Sequence, residues 1–139
     1  MVDQNCAYCM EGELVAKFGI KICELETSKV YLFKEQSHPG RCIVAHKKHV
    51  GDMNELTAEE RAAYFEDVAR VARAIMKAFN PDKVNYGAYG DTGHHLHFHL
   101  CPKYKDEYEW SGVFLMNPDK KYLTDEEYAD MIEKIKANL

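Results

Sequence analysis

The spacing of hydrophobic positions changes along the chain, and each change marks an element. Ile20 to Leu25 and Val30 to Phe33 carry the apolar and aromatic bias of a β-hairpin, with Glu26 to Lys29 as its turn. Ser37-His38-Pro39-Gly40 is a further turn signal, and Arg41 to His46 reads as the next strand. The period then lengthens. Phe65, Val68, Ala72, Ile75 and Phe79 recur at steps of three and four, which predicts one long helix from Thr57 to Phe79. Thr57 and Glu60 form a capping-box pattern at its start, and Asn80-Pro81 ends it. The charged face opposite the stripe reads as solvated surface.

Lys83 to Tyr89 is the next strand, weakened by Gly87, and Gly90 to His94 is a polar turn. A strand through His95-Leu96-His97-Phe98-His99-Leu100 follows and ends at Pro102. The stretch Lys103 to Tyr122 is aromatic-rich and irregular, with Trp110 and Phe114. A second capping box, Thr124 to Glu127, opens a C-terminal helix with the stripe Tyr128, Met131, Ile132, Ile135 and Leu139. Strands in runs with one long helix inserted predict an α+β fold on a mainly antiparallel sheet.

The chain has 139 residues and no linker-like segment, so one domain over 1–139 is expected. A formal net charge of -5 weighs against general nucleic-acid binding. No apolar run has the length of a membrane helix. Met1 to Glu13 lacks a basic stretch followed by an apolar block, so a cytoplasmic protein is expected. Five cysteines in that setting argue against a disulfide framework. Cys23, Cys42 and Cys101 lie in apolar strand contexts and read as small buried hydrophobes. Cys6-Ala7-Tyr8-Cys9 differs. A redox pair would need a βαβ setting, and two unrelated thiols would not need this spacing. Half of a zinc site accounts for it best.

The alternating histidines carry the strongest signal. On a strand, His95, His97 and His99 share one face, while Leu96, Phe98 and Leu100 share the other. One such histidine is ordinarily structural. Three aligned imidazoles repel when charged, so the row calls for a metal or an anion beside it.

His95 through Cys101 resembles the His-φ-His-φ-His-φ-φ signature of the histidine triad (HIT) superfamily. Gly90 to His95 is similar to the glycine-bearing stretch that precedes the triad there, and Pro102-Lys103-Tyr104 to the Pro-Arg/Lys-Tyr that follows it. Cys6-Ala7-Tyr8-Cys9 and Ile43 to His49 resemble segments of the zinc-containing bacterial branch. The resemblance implies a HIT-like fold of about five strands with one long and one C-terminal helix. It implies a nucleotidyl hydrolase or transferase acting on phosphoramidates or dinucleoside polyphosphates through a covalent nucleotidyl-histidine. His97 would be the nucleophile, oriented by the backbone carbonyl of His95, with His99 on the phosphate side. Asp91, Thr92 and Gly93 would bind substrate with Asn85, Lys103 and Arg41. Cys6, Cys9, His49 and His95 would hold a structural zinc, with His46, His38 and His94 as alternative ligands. A homodimer joined sheet edge to sheet edge is implied as well.

Departures from the pattern cluster at the substrate side. Phe33 stands where the family often has a ribose-binding Asp, Arg41 where a His is common, and Asp91 where a Gln donates to the phosphate. Ionised, Asp91 cannot donate and would repel a phosphate; Arg41 and Lys103 are the cations available to offset it. These changes favour a competing reading, a zinc-stabilised HIT scaffold that binds a ligand or partner with weak or no hydrolysis.

Overall fold

The computed structural model describes residues 2–139. Two short helical turns, α1 (Ala7–Met10) and α2 (Gly12–Ala16), precede the hairpin β1 (Gly19–Glu24) and β2 (Ser28–Phe33). β3 (Cys42–His46), α3 (Ala58–Phe79), β4 (Lys83–Gly87), β5 (His97–Lys103) and α4 (Asp125–Ala137) follow. The sheet runs β1-β2-β3-β5-β4 with every neighbouring pair antiparallel. This is the α+β architecture that the pattern predicts.

Side-chain alternation assigns the two faces of the sheet different work. Val30, Leu32, Cys42, Val44 and Leu100 pack against Val68, Val71 and Ile75 of α3 and Tyr128 and Ile135 of α4. Tyr31, Phe33, Ile43 and Ala45 point the other way, onto Tyr8 and Val15 of the N-terminal turns. In register, His97 lies opposite Ala45 and His99 opposite Ile43, so both histidines belong to the face that the N-terminus covers.

The buried side of α3 is rotated from the expected stripe. Tyr64, Val71 and Ala74 are buried with Val68, Ala72 and Ile75, while Phe65 is 38% exposed and Phe79 lies at the margin. Tyr64 reaches inward because its hydroxyl donates to the Val44 carbonyl at 2.7 Å. The polar face of α3 is not wholly solvated either: Asp67 is buried and accepts from Thr27 N–H, Thr27 Oγ1 and Ser28 Oγ. Only half of the first capping box forms. Thr57 Oγ1 accepts from Glu60 N–H, but the Glu60 carboxylate pairs with Lys48. The second box, at Thr124 and Glu127, forms in both directions. Asn80 caps α3 in the left-handed region at φ 50°.

β5 begins at His97 rather than His95 and runs past Pro102 to Lys103. Pro102 is tolerated because β3 pairs β5 only as far as Leu100. The Lys103 carbonyl accepts from Asp82 N–H on the β4 side, so Pro102 turns its missing donor to the side that β3 has left.

The segment between β5 and α4 has no regular element, yet buried polar side chains fasten it. Lys103 Nζ donates to the carbonyls of Glu109 and Gly112 at 2.7 and 2.6 Å. His38 meets Glu109 at 2.6 Å, and Glu35 accepts from the backbone N–H groups of Lys120 and Lys121. Gly40, before Arg41, has φ 96°, and a Cβ there would fall 2.6 Å from Phe79 Cδ2, so only glycine fits.

Candidate functional site

Cys6 caps α1 and Cys9 follows one turn later, so both thiols face the same side. They meet two imidazoles there. Cys6 Sγ is 3.3 Å from His95 Nδ1; Cys9 Sγ is 3.3 Å from His49 Nδ1 and 3.7 Å from His95 Nδ1. The two Nδ1 atoms are 3.1 Å apart. A tetrahedron built on Zn–S and Zn–N bonds of about 2.3 and 2.0–2.1 Å has edges of roughly 3.3–3.8 Å, close to these separations. The four donor atoms all lie within 4.8 Å of one another.

The protonation pattern suits a cation. His95 Nε2 contacts the His46 carbonyl at 2.6 Å and must donate, which leaves Nδ1 a bare lone pair facing the thiols. Burial pushes the His95 imidazole down to about 4, with neighbouring imidazoles adding to it, so the neutral ligand form holds at neutral pH. Burial pushes the Cys6 thiol up, backbone N–H groups of Cys9 and Tyr8 oppose this in part, and the Cys9 thiol beside it adds to it; two thiolates together need a positive charge between them. The other histidines weighed as ligands are engaged elsewhere. His46 Nδ1 accepts from Lys48 N–H, His38 bonds Glu109, and His94 packs on Gly51.

The neighbouring histidine faces a cavity of about 930 Å³. His97 Nδ1 donates to the His95 carbonyl at 2.6 Å, so Nε2 carries the lone pair. Burial lowers its basicity, and the bond to His95 opposes this in part. Tyr8 packs on its ring with centroids 4.9 Å apart. His99 lies 5.4 Å from His97, centroid to centroid. Its Nδ1 receives Arg41 Nε and Nη2 at 3.3 and 3.0 Å. A guanidinium can only donate, so His99 Nδ1 accepts and the ring's proton is on Nε2. Burial, with the Arg41 charge behind it, pushes His99 down to about 2. Adjacent histidines thus present opposite tautomers: a bare nitrogen on His97 and an N–H on His99.

A model of the HIT domain matches residues 19–106. The chain belongs to the HIT family. It is 30% identical over 108 residues to Protein hit of Bacillus subtilis, covering 73% of this chain and 72% of that protein. It is 27% identical over 113 residues to the adenosine 5'-monophosphoramidase of Schizosaccharomyces pombe, covering 75% and 78%. Among solved structures, a histidine triad protein from Sinorhizobium meliloti superposes with TM-score 0.84 at 24% identity, over 92% of this chain and 95% of that one. A zinc-bound histidine triad family protein from Mycobacterium smegmatis does so with TM-score 0.68 at 22% identity, over 95% and 93%.

Within this HIT domain, Asp91, Thr92 and Gly93 line the cavity with the three histidines. Three other residues expected at the substrate do not reach its wall. Arg41 is fully buried, its guanidinium carbon over the rings of Phe33 and Phe114 at 4.3 and 4.8 Å. Lys103 is 2% exposed and spent on the Glu109 and Gly112 carbonyls. Asn85 lies in a separate depression beside Lys103 and Trp110. Pattern reading missed Tyr8, which touches both His95 and His97, and the wall contributed by Val113 to Asn117. The only local signal for Tyr8 is its place inside the Cys-x-x-Cys turn.

Proposed function

We propose that this HIT protein is a nucleotide hydrolase that works through a covalent nucleotidyl-His97. The observation that carries the reading is the tautomer pair: an unprotonated His97 Nε2 and a protonated His99 Nε2 on one cavity wall. The Nε2 lone pair of His97 attacks the α-phosphorus of a nucleoside phosphoramidate, forming an N–P bond. The P–N bond to the amine breaks; the amine leaves with its electron pair and takes a proton from solvent. The His99 N–H and the backbone amides of the Gly90 to Gly93 turn, which lines the same cavity, hold the phosphoryl oxygens. Water then attacks the same phosphorus, releases the nucleoside monophosphate and restores His97. Relatedness to an adenosine monophosphoramidase supports the phosphoramidate as substrate.

Cys6, Cys9, His49 and His95 would hold a zinc ion, which supplies a closed, structural four-ligand centre. The donor set and the zinc-bound relative support it. Its service to the reaction is indirect: His95, held at Nδ1 and at Nε2, fixes the carbonyl that orients His97. Two thiols set at a metal centre and three further cysteines outside any disulfide suit a reducing compartment, the cytoplasm. The free edge of β4, with exposed Tyr86 beside Met76 of α3, suits a homodimer.

The deciding experiment is incubation with adenosine 5'-monophosphoramidate, with mass spectrometry for a nucleotidyl adduct on His97. A second reading, nucleotide or partner binding with little hydrolysis, is favoured by Phe33 and by the engaged Arg41. Saturable AMP binding without turnover or adduct would select it.

A further inference from the structure

The least expected feature beside the cavity is a cation with no anion. Arg41 is 0% exposed, and among the described residues no carboxylate pairs with it. Its donors go to two places. Nη1 and Nη2 reach the carbonyls of Leu115 and Met116 at 3.1 and 2.9 Å. Nε and Nη2 converge on a single acceptor, His99 Nδ1, at 3.3 and 3.0 Å. The guanidinium carbon lies over the rings of both Phe33 and Phe114.

Burying a guanidinium is costly unless its donors are satisfied by well-placed acceptors. Two carbonyls would serve to anchor the 113–117 wall alone. Aiming two further N–H groups at one imidazole nitrogen does something else: it forbids a proton there. We propose that Arg41 is a positioning residue that locks His99 as the Nε2–H tautomer facing the cavity and joins that ring to the Leu115-Met116 wall. The inference rests on the reading of His99 as the donor to the phosphoryl group beside His97. With the Arg41 guanidinium donating to the neutral Nδ1, the Nε2–H is a stronger donor to an oxyanion than that of a free imidazole, and it is already in place before substrate arrives. A histidine without this clamp would divide between tautomers and offer the oxyanion a lone pair part of the time.

The test reads tautomers first and rates second. In ¹⁵N-histidine-labelled wild-type protein at neutral pH, His99 Nδ1 is expected to resonate as unprotonated and Nε2 as protonated. Arg41→Lys keeps one donor and preserves that signature. Arg41→Met loses it, giving mixed or reversed tautomers. With adenosine 5'-monophosphoramidate, Arg41→Met is expected to lower kcat by about 10–100-fold, with KM changed less than about threefold, and Arg41→Lys to recover most of the loss. A wild-type His99 protonated on Nδ1 overturns the proposal, as does a folded Arg41→Met protein with the wild-type tautomer and kcat. Where Arg41→Met fails to fold, the wild-type and Arg41→Lys spectra decide: loss of the Nδ1 signature in a folded Arg41→Lys protein with wild-type kcat overturns it. Wild-type protein with the expected tautomer but no turnover counts against the hydrolase reading and leaves the clamp standing.

Discussion

His97 donates its Nδ1–H to the backbone carbonyl of His95 at 2.6 Å, and His95 donates its own Nε2–H to the carbonyl of His46 at the same distance. The two bonds form a relay from β3 to the cavity, and they leave one lone pair at the thiol cluster and another at the cavity. His97→Ala removes the second and keeps the relay's other members. It is expected to reduce phosphoramidate turnover by roughly 10⁴-fold or more and abolish the covalent adduct. Circular dichroism should report an intact fold, with a melting temperature within about 5 °C of wild type. Turnover near the wild-type rate would remove His97 as nucleophile.

The first lone pair makes a prediction about metal. Elemental analysis of the purified protein is expected to find about one zinc per chain. Cys6→Ser/Cys9→Ser should retain less than about a tenth of it and melt at least about 5 °C lower, because metal binding contributes to folding. His94→Ala should keep its metal in full. Undiminished zinc in the double cysteine variant would rule out the Cys6, Cys9, His49, His95 set.

Whether these centres were legible beforehand depended on distance along the chain. Local periodicity carried the strands, both helices and the shared face of His97 and His99. Cys6 and Cys9 announced half a site, because one helical turn fixes their geometry; their partners lie 40 and 86 residues beyond Cys9, where spacing says nothing and only the family resemblance led to them. Arg41, Lys103 and Asp67 misled for one common reason. Arg41 and Lys103 read as cations for the substrate and Asp67 as part of a solvated face, and each is instead buried by acceptors or donors contributed from distant segments. Tyr64 lies outside the apolar stripe yet is buried, because the Val44 carbonyl that lets it turn inward is not visible from α3. The irregular 104–122 stretch has no period at all, so its part in the cavity wall emerges only once Arg41 and Glu35 are seen to hold it.

Phe33 leads to a prediction about the sugar. It lines the cavity, stands edge-on to His99 with centroids 5.3 Å apart, and turns its face to Arg41. A phenyl ring offers no acceptor to a ribose hydroxyl, and the guanidinium behind it is buried and turned to His99 and the Leu115 and Met116 carbonyls. Enzymes discriminate strongly against a missing hydroxyl only when a site is built to bond it. Adenosine and 2'-deoxyadenosine phosphoramidates are therefore expected to differ by less than about threefold in kcat/KM. A preference for the ribonucleotide of more than about thirtyfold would mean that a polar lining residue other than Phe33, such as Asn5 or Asn117, bonds the sugar.

Glu35 gives the clearest pH dependence. Its carboxylate is buried and accepts from Ser37 N–H, Ser37 Oγ, Lys120 N–H and Lys121 N–H at 2.7–2.9 Å. Burial alone would raise its pKa, but these donors outweigh it and hold the carboxyl below its ordinary range. A group that is more acidic when folded stabilises the protein above its unfolded pKa of about 4.3, and that stability disappears as pH falls through the lower folded value. Glu35→Gln keeps one acceptor oxygen and turns an amide N–H₂ toward backbone donors. It should cost about 2 kcal/mol at pH 7, measured by urea unfolding. The gap should narrow on acidification, because only wild type loses its charged acceptor. A gap that stays constant from about pH 7 to pH 3 would mean that the charge on Glu35 does not fasten the Lys120-Lys121 end of the wall segment.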